Sequence, residues 1–173
     1  MDAFYRFLVQ KFVNALLNES AEEDEAEKLC QMLANWSPNS DKITPTGGMA
    51  YGSWEFHDLA ATVCGHKPAA WLMSWKWKQR GQHRLLDAML AMAQRKGAIV
   101  DDAHGNGIIV AKSPNVAQQL KDNLAVVFSY KNDADHLSGG ARPCIMAHAM
   151  IGKLLGYPPE KVHEMYPELS CDG

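Results

Sequence analysis

Apolar residues recur every three or four positions along most of the chain, a period that predicts helices. Phe4, Leu8, Val9, Phe12 and Leu16 predict an amphipathic first helix over 2–18. A second runs from Ser20 to Asn35, and its first turn carries Glu22, Glu23, Asp24 and Glu25, acids suited to the positive end of a helix dipole. Residues 37–52, SPNSDKITPTGGMAYG, are turn formers throughout and predict a loop. Ser53 is placed to cap a helix over 55–66 that turns Phe56, Leu59, Ala60 and Val63 inward. Pro68 opens another helix through Trp77, Gly81 breaks it, and Gln82 to Lys96 forms the next around Leu85, Leu86, Met89, Leu90 and Met92.

The period then changes. Ala98–Val100 and Gly107–Ala111 are short strand-type runs around DDAHGN, which is hairpin chemistry. Ser113 and Pro114 start a short helix over 116–121, and Leu124–Tyr130, LAVVFSY, predicts a third strand reached by a crossover of near-minimal length. Pro143 opens a further helix with Cys144 and His148 on one face and Ile145, Ile151, Leu154 and Leu155 as its apolar stripe. Gly156 stands where a helix end needs a left-handed backbone, and Pro158-Pro159 precedes a short helix over 160–166. The expected fold class is α+β: a mostly helical single domain over 1–173 with a small three-stranded sheet and a C-terminal helical hairpin. Its parts are a helical pair (1–36), a loop (37–52), a helical segment (53–97), the sheet with its short helix (98–130), and a Gly-rich loop with the hairpin (131–173).

The run AHAMIGKLLGYP over 147–158, preceded by IIVAKSPNVAQQL over 108–120, resembles an uncharacterised domain-of-unknown-function family with an H-x-x-IGKLLGYP-like signature. The likeness covers roughly a quarter of the chain. Family members often follow LGYP with cysteines, whereas Pro159, Glu160 and Lys161 stand here, so the resemblance implies no thiol chemistry at that place. It implies no activity either.

With 173 residues and 47% hydrophobic content the chain can bury one real core. No stretch approaches the roughly 20 apolar residues that cross a bilayer, so no membrane partner is expected. MDAFYRFLVQKFVNALL lacks a basic start and a clean apolar run, and reads as a helix, not a signal peptide; the expected location is cytoplasmic. Cys30, Cys64, Cys144 and Cys171 are scattered without a C-x-x-C pair and read as reduced thiols. The net charge of −3 argues against a general nucleic-acid coat. It is unevenly spread: residues 19–27 hold six acids and no base, whereas 67–96 hold Lys67, Lys76, Lys78, Arg80, Arg84, Arg95 and Lys96 against Asp87 alone.

Three constellations can carry function. Cys144, in the first turn of a helix, is placed for a nucleophile, with His136 or His148 as base and Asp133 or Asp135 orienting the imidazole. The plainer reading, packed helix residues beside a solvated turn, is preferred because no catalytic-cysteine signature surrounds Cys144. The same residues give only weak metal-ligand spacing, and the glycines of SGGARP beside Arg142 offer anion-binding backbone without any nucleotide fingerprint, so no cofactor or metal is expected. The second constellation interleaves Trp71, Trp75 and Trp77 with Lys76, Lys78, Arg80 and Arg84, the residue types that stack on bases and meet phosphates. Helices followed by the DDAHGN hairpin also give a winged-helix order, although Asp101 and Asp102 in the wing would repel phosphate. The third draws on five tryptophans and nine methionines, types enriched in interface cores. The sequence favours this last: a non-catalytic macromolecular interaction protein, of a size that fits a phage or mobile-element accessory protein or an inhibitor of a host system. A protein partner is expected, with nucleic acid through 71–84 and a Cys/His enzyme as the alternatives.

Overall fold

The structure, a computed structural model, describes residues 3–18, 23–35, 53–129 and 142–166. The elements in order are α1 (Ala3–Leu17), α2 (Glu23–Asn35), α3 (Ser53–Val63), β1 (Ala69–Leu72), α4 (Ser74–Gln79), α5 (His83–Arg95), β2 (Ile99–Asp102), β3 (Ile108–Ala111), α6 (Pro114–Ser129), α7 (Arg142–Leu154) and α8 (Pro159–Met165). This is the expected mostly helical α+β domain with one small sheet. The 37–52 loop lies outside the described residues. No described helix is long and apolar enough to cross a membrane.

Four of these helices, α3, α4, α5 and α7, end on a glycine at positive φ: Gly65, Gly81, Gly97 and Gly156. At Gly156 the N–H groups of Tyr157 and Gly156 donate back to the carbonyls of Gly152 and Lys153 at 2.9 and 3.0 Å, satisfying acceptors that a helix end leaves orphaned. The sequence marks helix ends at Gly81 and Gly156, and both stand at helix ends with positive φ in the structure.

The sheet is antiparallel with strand order β1-β3-β2. Its register aligns Ala70, Val110 and Val100 in one row and Trp71, Ile109 and Asp101 in the next, and successive rows face opposite sides. One side meets the larger core, where Tyr5, Leu8, Phe12, Leu59, Trp77, Met89 and Met92 from α1, α3, α4 and α5 gather with Leu72 and Val110. The other side carries Ala69, Ile109 and Ala111 against Ala117, Leu120 and Leu124 of α6 and Ile151 and Leu154 of α7. Phe12, Phe56 and Trp77 run edge-to-face through the larger core, with centroids 6.2 and 5.2 Å apart.

Two elements correct the sequence reading. Residues after Pro68 form β1, not a helix, because AAWL is covered on both faces and pairs with β3. A strand buried on both sides loses the alternation that would reveal it. The carbonyl of Pro68 accepts the Lys112 N–H at 3.1 Å, which continues this pairing. Leu124–Ser129 is the second half of α6, not a strand; Tyr130 lies outside the described residues. Ser113 Oγ accepts the Val116 N–H at 3.3 Å to start the helix, and Ala117, Leu120 and Leu124 form one inward stripe that carries Val127 and Phe128 with it. The local β-preference of Val126 and Val127 yields to that stripe. The third strand is therefore β1, and among the described residues no strand–helix–strand crossover forms.

Candidate nucleic-acid interface

Between Ser53 and Ala111 the elements run α3-β1-α4-α5-β2-β3, a helix–turn–helix followed by a hairpin and closed by β1. Helices α4 and α5 are joined by Arg80-Gly81-Gln82, with Gly81 at φ +67°. A three-residue turn holding a glycine is the joint a helix–turn–helix needs.

Glu55 fixes where α4 starts. Its Oε1 accepts the Met73 N–H and its Oε2 accepts the Trp77 indole N–H, each at 2.6 Å. Burial pushes the Glu55 carboxyl above its ordinary range, while these two hydrogen bonds and the nearby Lys76 pull the other way. Trp77 is 2% exposed, so it serves the core and cannot stack on a base; the sequence expectation for it is corrected here. Trp71 and Trp75 are half-buried, with Trp71 between Trp75 and Phe128 at 6.3 and 5.9 Å.

Helix α5 turns Leu85, Leu86, Met89, Met92 and Ala93 inward. His83, Arg84, Asp87, Ala91, Gln94 and Arg95 are exposed, a stripe at helical spacing along the opposite side. Lys78 and Arg80, at the end of α4, are also exposed and lie just before the turn, whereas Lys76 is half-buried. The structure thus divides the aromatic–cationic segment: its indoles pack, and its later cations face out. At the other end of α5, Lys96 Nζ meets Glu27 Oε2 of α2 at 2.6 Å.

The β2–β3 hairpin is held at its tip and its root. Asp102 Oδ2 accepts the Gly105 N–H at 2.9 Å, and Asn106 and Ala103 donate to the carbonyls of Ala103 and Gly107. Trp71 Nε1 donates to the Asn106 carbonyl at 2.8 Å, tying the turn to β1. Gly107 is at φ +115°, and a Cβ there would lie 2.5 Å from both Leu72 O and Trp71 Nε1, so the close approach requires glycine. The hairpin acids differ from their bare sequence reading. Asp101 pairs with Lys121 of α6 at 3.0 Å, a hydrogen bond that holds its carboxyl below the usual range, and Asp102 is turned into the hairpin. The sequence gives no sign of the Glu55 or Lys121 contacts, because both partners are distant along the chain.

The Cys/His constellation is only partly described. Asp133, Asp135, His136 and the side chain of Arg142 lie outside the described residues. Cys144 is 3% exposed, and burial pushes its thiol up, which favours the protonated form over a nucleophilic thiolate. His148 lies beside the Tyr166 ring, 6.1 Å between centroids and 19° from parallel. Among the described residues no three His, Cys, Asp or Glu side chains converge as metal ligands. Searches of family models, of curated proteins and of solved structures each found no match to the chain.

Proposed function

We propose that the chain binds double-stranded DNA, with α5 entering the major groove and the β2–β3 hairpin lying along the flanking backbone. The observation that carries this reading is the connectivity itself: a Gly-jointed helix–turn–helix whose second helix keeps a polar face exposed, followed by a pinned antiparallel hairpin. At 13 residues α5 is about 20 Å long, enough to lie in a groove about 12 Å wide. His83, Arg84 and Asp87 stand in its first turn and a half, where a recognition helix meets base edges, and Lys78, Arg80 and Arg95 flank it where phosphates would run. The pairing of Asp101 with Lys121 lowers the charge objection to the hairpin.

Fluorescence anisotropy with a random-sequence 20-base-pair duplex across a salt series tests the reading. Three phosphate contacts predict a log–log salt slope of about −3, reduced by about 1 in Lys78→Ala. Salt-independent binding, or an Arg84→Glu variant that binds as the parent does, would end it.

A protein partner is the second reading, supported by large apolar side chains left in solvent: Phe4 and Phe7 on α1 at 52% and 55% exposure, and Met146 on α7 at 54%. It predicts nuclease-resistant, near-stoichiometric retention of one protein from host lysate, lost when Phe7 becomes Ser. On this reading an accessory or inhibitory role in a phage or mobile element is the corresponding biology.

A further inference from the structure

We infer that α5 selects duplexes with two adjacent G·C pairs, Arg84 reading a guanine and Asp87 a cytosine; this rests on the DNA reading and names its sequence class. Asp87 is the residue that phosphate attraction leaves unexplained. It is the only acid in residues 59–100, and it stands exposed on the outward face of α5, three residues after Arg84. A carboxylate beside Lys78, Arg80 and Arg84 weakens attraction to any phosphate backbone. Residues three apart on a helix are neighbours, yet among the described residues neither Arg84 nor Asp87 is engaged in an ion pair or a side-chain hydrogen bond. Both are left to meet a base.

The start of α5 holds the two side chains in a fixed direction. The Gln82 N–H donates to Trp77 O at 3.0 Å and the Leu86 N–H to Gln82 O at 3.1 Å, which closes the turn around Arg84. Leu85, Leu86 and Met89 are 6%, 3% and 0% exposed and anchor the opposite side. Farther along the outward face the residues are small: Ala88 is half-buried and Ala91 exposed, so the helix can approach the groove floor closely. Arg84 and Asp87 lie about 4.5 Å apart along the axis, near the roughly 3.4 Å between successive base pairs. In the major groove a guanidinium donates to guanine O6 and N7, and a carboxylate accepts from cytosine N4. The same carboxylate repels the acceptor edges of guanine and thymine. Asp87 therefore discriminates chiefly by rejecting wrong bases, while lowering affinity for duplexes in general.

The test selects a 20-base-pair duplex library with a randomised centre on the full chain, reads the retained pool by sequencing, and follows with anisotropy. The expected winner holds two adjacent G·C pairs. Replacing the pair read by Arg84 with A·T weakens binding about 5- to 150-fold, and replacing the pair read by Asp87 weakens it less. Arg84→Ala removes the preference at the first pair and Asp87→Ala at the second. Asp87→Ala also binds a random duplex more tightly than the parent does, an outcome that structural damage could not produce. Retained duplex without sequence preference, enrichment of A·T pairs alone, or an Asp87→Ala variant with the parent's full preference would overturn the inference and leave the DNA reading standing. A chain that retains no duplex even at low salt would overturn both.

Discussion

Removing the Glu55 carboxylate tests whether one side chain sets the helix–turn–helix. Glu55→Ala deletes two 2.6 Å hydrogen bonds and leaves the Trp77 indole N–H without its acceptor in a core where Trp77 is 2% exposed. A hydrogen bond to a charged group contributes about 1.5–3 kcal/mol, and an orphaned buried donor costs about 1–3 kcal/mol. These are partly offset, because the raised carboxyl pKa shows that burying the charge is itself unfavourable. The expected net loss is about 2–4 kcal/mol, or roughly 5–12 °C in Tm for a chain of this length. Urea unfolding followed by far-UV circular dichroism measures it. A double-mutant cycle with Trp77→Phe isolates the indole contact: with the donor already gone, Glu55→Ala should cost about 1–2 kcal/mol less. A loss under 1 kcal/mol, or a strictly additive cycle, would refute the claim that Glu55 positions α4 through Trp77.

Two further outcomes follow from the same geometry. Because burial raises the folded-state pKa of Glu55 above its ordinary 4.5, the folded chain holds this proton more tightly than the unfolded chain does. The contribution is thus fully present below pH 4.5 and is lost as pH rises through the raised value; Glu55→Gln should remove that falling limb, read as stability of parent minus variant across a pH series. Gly107→Ala should cost about 2–4 kcal/mol, since positive φ and backbone 2.5 Å away leave no room for a methyl group, whereas Gly105→Ala, with nothing within 4 Å, should cost about 1 kcal/mol; equal losses in urea titrations would contradict the hairpin geometry.

Local signals in the sequence identify what is local in the fold. Amphipathic spacing locates α1, α3 and α5, the DDAHGN run locates the hairpin, and Gly156 marks the end of α7. What escapes is decided by distant partners. Ala69–Leu72 has no visible period because α3 covers one face and α6 with α7 the other, and its strand identity comes from β3, nearly forty residues later. Val126 and Val127 carry β-preference yet complete a helical stripe that begins at Ala117. The aromatic–cationic segment is legible as chemistry but not as geometry. Trp71 is claimed by the hairpin and Trp77 by Glu55, which leaves Lys78, Arg80 and Arg84 facing outward.

The acidic hairpin is the strongest electrostatic argument against DNA, so the Asp101–Lys121 pair is where the binding proposal is most exposed to test. The two side chains are 40% and 21% exposed, and a pair in that setting contributes at most about 1 kcal/mol to folding. Lys121→Met keeps the aliphatic stem over β2 and removes only the cation, so stability should hardly change. If the hairpin lies along a phosphate backbone, however, the variant sets an unneutralised Asp101 carboxylate against it, and duplex affinity should fall several-fold at low salt and less at high salt. Asp101→Asn in the same background removes the repulsion and should restore most of the affinity, an outcome that loss of folding could not produce. Anisotropy of the parent, the single variant and the double variant at two salt concentrations gives the answer. An unchanged affinity in Lys121→Met would mean that the hairpin stands away from the DNA, and the binding surface would then be confined to α4 and α5.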